Sequence, residues 1–63
     1  MGIKIILTDK NILIDYTETR ESFGLRVVNN ISGFLFVIHR GQEYIVNVDH
    51  IISVTDLEPI KVF

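Results

Sequence analysis

Short apolar segments recur along this chain between polar turns, and several of them alternate apolar and polar residues with a period of two, which is the pattern of β-strands. The clearest example is residues 34–54, where two apolar segments rich in Ile, Val and Phe flank the sequence His39-Arg40-Gly41-Gln42. A polar break that contains glycine between two such segments predicts a β-hairpin. We therefore expect its turn at Arg40-Gly41-Gln42.

The other segments extend this pattern into a series of short strands joined by polar turns. Strands are predicted over residues 3–8, 12–17, 23–28, 34–38, 43–48 and 51–55. Residues 18–22 are the most polar stretch and are expected to form a loop, although Thr17 followed by Arg20 and Glu21 also resembles a helix start. Pro59 is expected to end the last strand, because proline has no N–H to donate to a ladder.

This series predicts one all-β domain over residues 1–63, because a sheet of that size must curl or pack on a copy of itself. The expected architecture is a small antiparallel barrel or curled meander of five to six strands, SH3-like or Sm-like. Both faces of residues 34–38 are apolar, so this strand is expected to be central or covered on both sides. For Phe34, Phe36 and Tyr44, core packing is therefore favoured over a base-stacking surface.

Composition indicates that the chain associates with itself. A domain of this size buries only roughly 60% of the surface that its unfolded form exposes, yet 48% of its residues are hydrophobic. There is no cysteine to form a disulfide or a thiolate metal site. We therefore expect a homodimer or higher homo-oligomer, with Leu35, Val37, Ile45 and residues 60–63 at the contact.

The charge pattern makes a protein a better expected partner than a nucleic acid. The net charge is −2, and the lysines and arginines are spread along the chain with acids between them, whereas nucleic-acid binders usually carry a basic stripe. No apolar segment approaches the roughly 18 residues of a membrane helix, and no signal peptide is recognisable. No membrane association is expected, and the expected location is cytoplasmic.

The polar residues do not form a recognisable reaction centre. Asp49 and His50 are adjacent, and neighbouring residues of a regular strand point to opposite faces. His39 is expected to be solvated at the hairpin tip. The sequence has no nucleophile motif, no glycine-rich phosphate loop and no metal-spaced histidine pair. We therefore predict no catalytic residue, no cofactor site and no metal site, and we do not expect an enzyme.

One segment resembles a known family. The sequence Val48-Asp49-His50-Ile51-Ile52-Ser53 resembles Tyr-Lys-His-Ala-Ile-Ser of the bacterial Sm-like RNA chaperone, and residues 34–54 are similar to the second half of an Sm-like barrel. Residues 41–51 are also similar to a pattern in small flagellar-operon β proteins. The first resemblance implies the Sm-like fold. It does not imply RNA binding, because Asp49 replaces the lysine that contacts RNA in that family.

Two functions follow as expectations. The leading one is a non-catalytic small β interaction module, a regulator or inhibitor of another protein, of the kind that bacteria, phages and mobile elements encode. Its contact surface is expected to be an exposed sheet edge. The alternative is an Sm-like RNA- or DNA-binding protein. The candidate binding residues are Arg40, Gln42, His39, Arg20 and Arg26.

Overall fold

The computed structural model describes residues 2–57. Along the chain they form β1 (Ile3–Leu7), β2 (Ile12–Asp15), α1 (Arg20–Val28), β3 (Phe34–His39), β4 (Gln42–Asn47) and β5 (Ile51–Asp56), with a 3-10 turn at Val48–His50. The domain is therefore mostly strand with one short helix in the described part, which confirms the β-rich class.

The strands form two antiparallel sheets with the orders β2-β1-β5 and β3-β4. In the first sheet β1 is central, so that Ile3 lies opposite Asp15 on one side and opposite Asp56 on the other. In the second sheet the register runs from Phe34 opposite Asn47 to His39 opposite Gln42. Within residues 2–57, no backbone ladder joins β2 to β3 or β4 to β5, so the sheets do not close into a barrel.

The predicted strand over residues 23–28 is wrong, because this segment forms most of α1. The helix begins with a capping box, in which the Thr19 hydroxyl accepts from the Ser22 N–H and the Ser22 hydroxyl accepts from the Thr19 N–H. This start lies inside the segment expected to be a loop, two residues after Thr17. Burial of Phe23 against the sheets then holds the helix in place.

The core lies between the two sheets and the helix. Its buried members share alternate strand positions and one helix position; they are Ile3, Ile5, Leu13, Phe23, Leu35, Val37 and Val46. Only one face of β3 is covered in the described part of the chain, because Leu35 and Val37 are buried whereas Phe34 and Phe36 are exposed. The backbone ladder joins β3 only to β4, so β3 is not central in its sheet, and its second face has no cover within residues 2–57. Leu35 and Val37 belong to the core, so their placement at a contact between copies is wrong.

The turn between β3 and β4 includes the predicted Arg40 and Gly41, whereas Gln42 already belongs to β4. Arg40 has a φ of 52° and Gly41 a φ of 75°, and the pair His39–Gln42 closes the hairpin. Two left-handed residues in a two-residue loop are the mark of a type I′ turn, whose twist matches that of the flanking strands.

The expectations for Pro59 and for residues 60–63 lie outside the described residues. In residues 2–57, no helix is long and apolar enough to cross a membrane.

Replacing Gly24 with alanine should stabilise the protein. Gly24 is exposed within α1, and a Cβ built there meets no atom within 4 Å. Because alanine has a higher helix propensity than glycine, we expect Gly24→Ala to raise the free energy of unfolding by about 0.5–1 kcal/mol. Urea unfolding followed by circular dichroism measures the change, and a decrease would contradict the helix.

Replacing Gly41 with valine should destabilise the protein, because the turn requires a positive φ at this position. We expect Gly41→Val to lower the free energy of unfolding by about 1–2 kcal/mol. Arg40→Ala is the matched control in the same turn, with an expected change well under about 1 kcal/mol, since the removed charge is exposed. Equal melting temperatures for Gly41→Val and the parent would place the turn elsewhere.

Candidate functional site

Side chains, rather than a backbone ladder, join β2 to β3. The Ile38 N–H donates to Asp15 Oδ2 at 3.3 Å, and the Ile14 N–H donates to His39 Nδ1 at 2.9 Å. Asp15 is only 1% exposed, and its other carboxylate oxygen accepts from the Thr17 N–H at 2.8 Å. Asp15 and His39 therefore attach the β3–β4 hairpin to the three-stranded sheet, and we call these contacts the side-chain seam.

His39 is one of the predicted binding residues, but its role in the structure is to hold the fold together. It is half-buried rather than solvated, and its ring lies edge-on to that of Tyr44, with 5.8 Å between centroids. The same Nδ1 also lies 3.4 Å from the Ile14 carbonyl oxygen, so both backbone groups of Ile14 lie beside the ring. The expectation of a freely solvated histidine at the hairpin tip is wrong.

The two predicted arginines on α1 are also engaged within the chain. Arg26 forms an ion pair with Glu18, donates to the Phe36 carbonyl at 2.6 Å, and lies 5.6 Å from the centre of the Phe23 ring. Arg20 Nε lies 3.7 Å from an Asp56 carboxylate oxygen in an exposed pair. An exposed pair of this kind contributes at most about 1 kcal/mol, so Arg20 is the more available of the two.

The remaining predicted residues lie together at the hairpin tip. Arg40 is exposed in the turn, and exposed Gln42 accepts a hydrogen bond from the Tyr44 hydroxyl at 3.3 Å. The structure therefore brings His39, Arg40 and Gln42 together through the turn, whereas Arg20 and Arg26 lie on α1.

Side chains bond four of the six backbone groups on the edge of β3 that faces away from β4. The Val48 N–H donates to the Gly33 carbonyl at the same register, so the backbone groups of Phe34, Phe36 and Ile38 must point away from β4. Asn30 donates to the Phe34 carbonyl at 2.7 Å, and Ser32 accepts from the Phe34 N–H at 3.3 Å. Arg26 donates a hydrogen bond to the Phe36 carbonyl, and Asp15 accepts one from the Ile38 N–H.

The opposite edge of the hairpin is mostly unpaired. By the same alternation, the N–H and C=O groups of Glu43, Ile45 and Asn47 point away from β3. Asn47 is the N-cap of the 3-10 turn, so its carbonyl accepts the first hydrogen bond of that turn. Within residues 2–57, no hydrogen bond reaches the other five groups, and β4 pairs only with β3. We call these groups the β4 edge.

The β4 edge borders an open groove of about 570 Å³. Residues 44–47 form one wall. The rest of the lining comes from the β1–β2 turn region, His39 and the 3-10 turn; it consists of Leu7, Thr8, Asp9, Asn11, Ile12, Leu13, His39 and His50. The groove therefore combines apolar side chains with amide, hydroxyl and carboxylate groups beside an unpaired strand.

The hairpin also exposes a group of large apolar side chains on the face opposite the core. Directly opposed residues of an antiparallel pair share a face, and Phe36 lies opposite Ile45. Phe34 and Phe36 are each 53% exposed, Ile38 is 41% exposed and Ile45 is 66% exposed. We call these four side chains the outer apolar face. The expectation of core packing is wrong for Phe34 and Phe36. Tyr44 is on the inner side of the hairpin but is still 39% exposed and is not part of the core.

Sequence reasoning did not include the outer apolar face among the site residues, although its signal was visible. Both faces of residues 34–38 are apolar, and one of them requires a cover. The structure provides that cover for Leu35 and Val37 and leaves the other face open. Among residues 2–57, no group of three or more His, Cys, Asp or Glu side chains could hold a metal ion.

In comparisons with known proteins, no family model matches the chain, and no curated protein and no solved structure is significantly similar to it.

Asp15→Asn should test the side-chain seam. The variant keeps the size of the side chain but presents an NH2 group to backbone donors, so we expect the free energy of unfolding to fall by about 1–3 kcal/mol. Asp56→Asn is the matched control, because its carboxylate is exposed and contacts only Arg20 among the described residues. Chemical denaturation of both variants gives the comparison. Equal losses for the two variants would contradict a special role for Asp15.

Proposed function

We propose that this protein is a non-catalytic interaction module that binds another protein through the β3–β4 hairpin. The observation that carries the proposal is the outer apolar face, on which Phe34, Phe36, Ile38 and Ile45 are 41–66% exposed. Single exposed apolar residues are ordinary, but a contiguous apolar group on a small domain is typical of an interaction site.

The hairpin is a better contact surface than the other exposed apolar positions. Val28 and Ile52 are also exposed and line a second groove between α1 and β5, whereas the exposed residues Ile12, Tyr16, Leu25 and Ile31 are distributed over β2, the turn after it, α1 and a loop. The outer apolar face lies on two strands in fixed register, with Glu43 and Asn47 as polar residues on the same side. An apolar centre with aromatic residues and a polar rim is the usual composition of a protein interface.

A module of this kind acts on its partner by covering a surface. We therefore propose a regulator or inhibitor, in agreement with the expectation from sequence. We further propose that the two sheets form one curled unit of the SH3-like or Sm-like type. Support comes from the side-chain seam, which makes β3 the neighbour of β2 and gives the strand sequence β4-β3-β2-β1-β5.

Nucleic-acid binding stays the second proposal because of one observation. The exposed rings of Phe34 and Phe36 resemble the stacking platforms of proteins that bind single strands. The cationic side chains give this proposal less support. Arg26 is paired with Glu18 and His39 is held at the seam, so both already have contacts within the fold.

Phe36→Lys should abolish partner binding without unfolding the protein. A buried interface cannot accept an unpaired charge at its centre, whereas the exposed position tolerates lysine in the free protein. The matched control is Ile52→Lys, since Ile52 is 62% exposed on the other sheet. We expect the parent and Ile52→Lys to retain one and the same protein from a nuclease-treated lysate of the source organism, and Phe36→Lys to lose it.

The retained protein should then bind the purified parent at least about tenfold more tightly than it binds Phe36→Lys. Equal affinities would exclude the outer apolar face as the contact. Binding that requires intact nucleic acid and weakens steeply with salt would instead support the second proposal. Light scattering that shows a dimeric parent and a monomeric Phe36→Lys variant would identify a second copy as the occupant of this face.

A further inference from the structure

We propose that the β4 edge receives a short extended segment of the partner protein as an added antiparallel strand, with a basic residue of that segment opposite Glu43. This inference rests on the proposed function and names the chemistry of the contact. The outer apolar face alone does not require it, because that face could be covered by any apolar surface.

The backbone groups of the β4 edge determine which ligand can form hydrogen bonds with all of them. Glu43 and Ile45 each present an N–H and a C=O on this edge, and Asn47 presents an N–H; Ile45 and Asn47 also line the groove. These donor and acceptor pairs repeat about every 7 Å along the strand, which is the spacing of alternate residues in an extended chain. Another extended main chain matches that repeat on both donors and acceptors.

The groove has the space for such a segment. Its volume of about 570 Å³ lies within the range of roughly 300–1,000 Å³ that is common for binding sites. An added strand would run about 4.8 Å from β4, between this edge and the wall that contains Asp9, Asn11 and His50. Because the bare groups span Glu43 to Asn47, the paired part of the segment is about five residues long.

Register then predicts the side chains of that segment. In an antiparallel pair, the partner residues opposite Asn47, Ile45 and Glu43 lie on the outer side, in that order along the partner chain. A polar residue suits Asn47, a β-branched apolar residue extends the outer apolar face beside Ile45, and Lys or Arg neutralises Glu43. The two intervening residues face Tyr44 and Val46 inside the groove and are expected to be apolar.

A second copy of this chain fits the edge less well. Pairing β4 with itself around Ile45 places Glu43 opposite Asn47 of the other copy, so that neither Glu43 gains a cation. A basic segment provides that cation, and this charge complementarity is why we assign the edge to a partner segment rather than to a second copy.

The test uses a displayed library of random 12-residue peptides, selected against the full chain. We expect enriched peptides to share the order polar, apolar, β-branched, apolar, basic, without proline in that stretch. Ile45→Pro removes an N–H that points away from β3 and therefore leaves the hairpin ladder intact. It should weaken the enriched peptides at least about tenfold, whereas Ile45→Val should leave their affinity within about threefold.

Amide exchange measured by NMR on the parent gives a second readout that does not depend on the folding of Ile45→Pro. Peptide binding should slow exchange at Glu43, Ile45 and Asn47 by at least about tenfold, with little change at Tyr44 and Val46, whose N–H groups already bond to β3. Glu43→Lys should change the selected residue at the last position from basic to acidic.

Three results would overturn the inference: a library that yields no binder, binders that leave these three amides unprotected, or binders that Ile45→Pro and Glu43→Lys do not affect. Protection that rises with protein concentration in the absence of peptide would assign the edge to a second copy. If Phe36→Lys loses the lysate partner and Ile45→Pro retains it, the proposed function stands and strand addition fails. If both variants retain it, both proposals fail.

Discussion

The buried carboxylate of Asp15 is the contact on which the arrangement of the two sheets depends. A charged group that is only 1% exposed is costly unless its oxygens are occupied by donors. Here the Thr17 N–H and hydroxyl bond one oxygen and the Ile38 N–H bonds the other. These hydrogen bonds offset the free-energy cost of burying the carboxylate, and the bond from Ile38 also attaches the hairpin to β2. His39 repeats this arrangement at Ile14, and the two contacts take the place of a backbone ladder.

Helix α1 determines which edge of the hairpin stays available. Arg26 of the helix and Asn30 just beyond it occupy the Phe36 and Phe34 carbonyls. These contacts use side chains that would otherwise be candidates for recognising a ligand. Their effect is that most outward backbone groups of β3 already have partners, whereas most of those of β4, beside the groove, do not. In this hairpin, the outward edge of β3 is therefore used mainly for contacts within the fold, and the outward edge of β4 is the one available to a ligand.

The sequence was sufficient for the features that depend on neighbouring residues. Apolar segments separated by polar turns identify β1 to β5, and the polar break with Gly41 identifies the turn between β3 and β4. Residues 23–28 were assigned wrongly because Phe and Val favour strands locally, whereas the capping box and the burial of Phe23 favour a helix. The roles of Asp15 and His39 depend on contacts between residues far apart in the chain, and a single sequence does not show these.

The exposure of Phe34 and Phe36 could not be read from the pattern for a related reason. Two apolar faces on one strand indicate two covers, but the pattern does not say whether the second cover belongs to the same chain. Arg26 and Arg20 show the opposite case. The sequence suggests that these cations are available to a ligand, but in the folded chain they pair with Glu18 and Asp56.

The pairing of β1 has a consequence for the order of events during folding. Ile3 pairs with Asp15, which is close in sequence, and with Asp56, which is near the end of the described chain. Local hairpins close at a small entropic cost and within microseconds, whereas distant pairings form slowly. While the chain is being synthesised, β1 therefore keeps an unpaired edge until β5 leaves the ribosome. That interval is when the nascent protein is most exposed to aggregation.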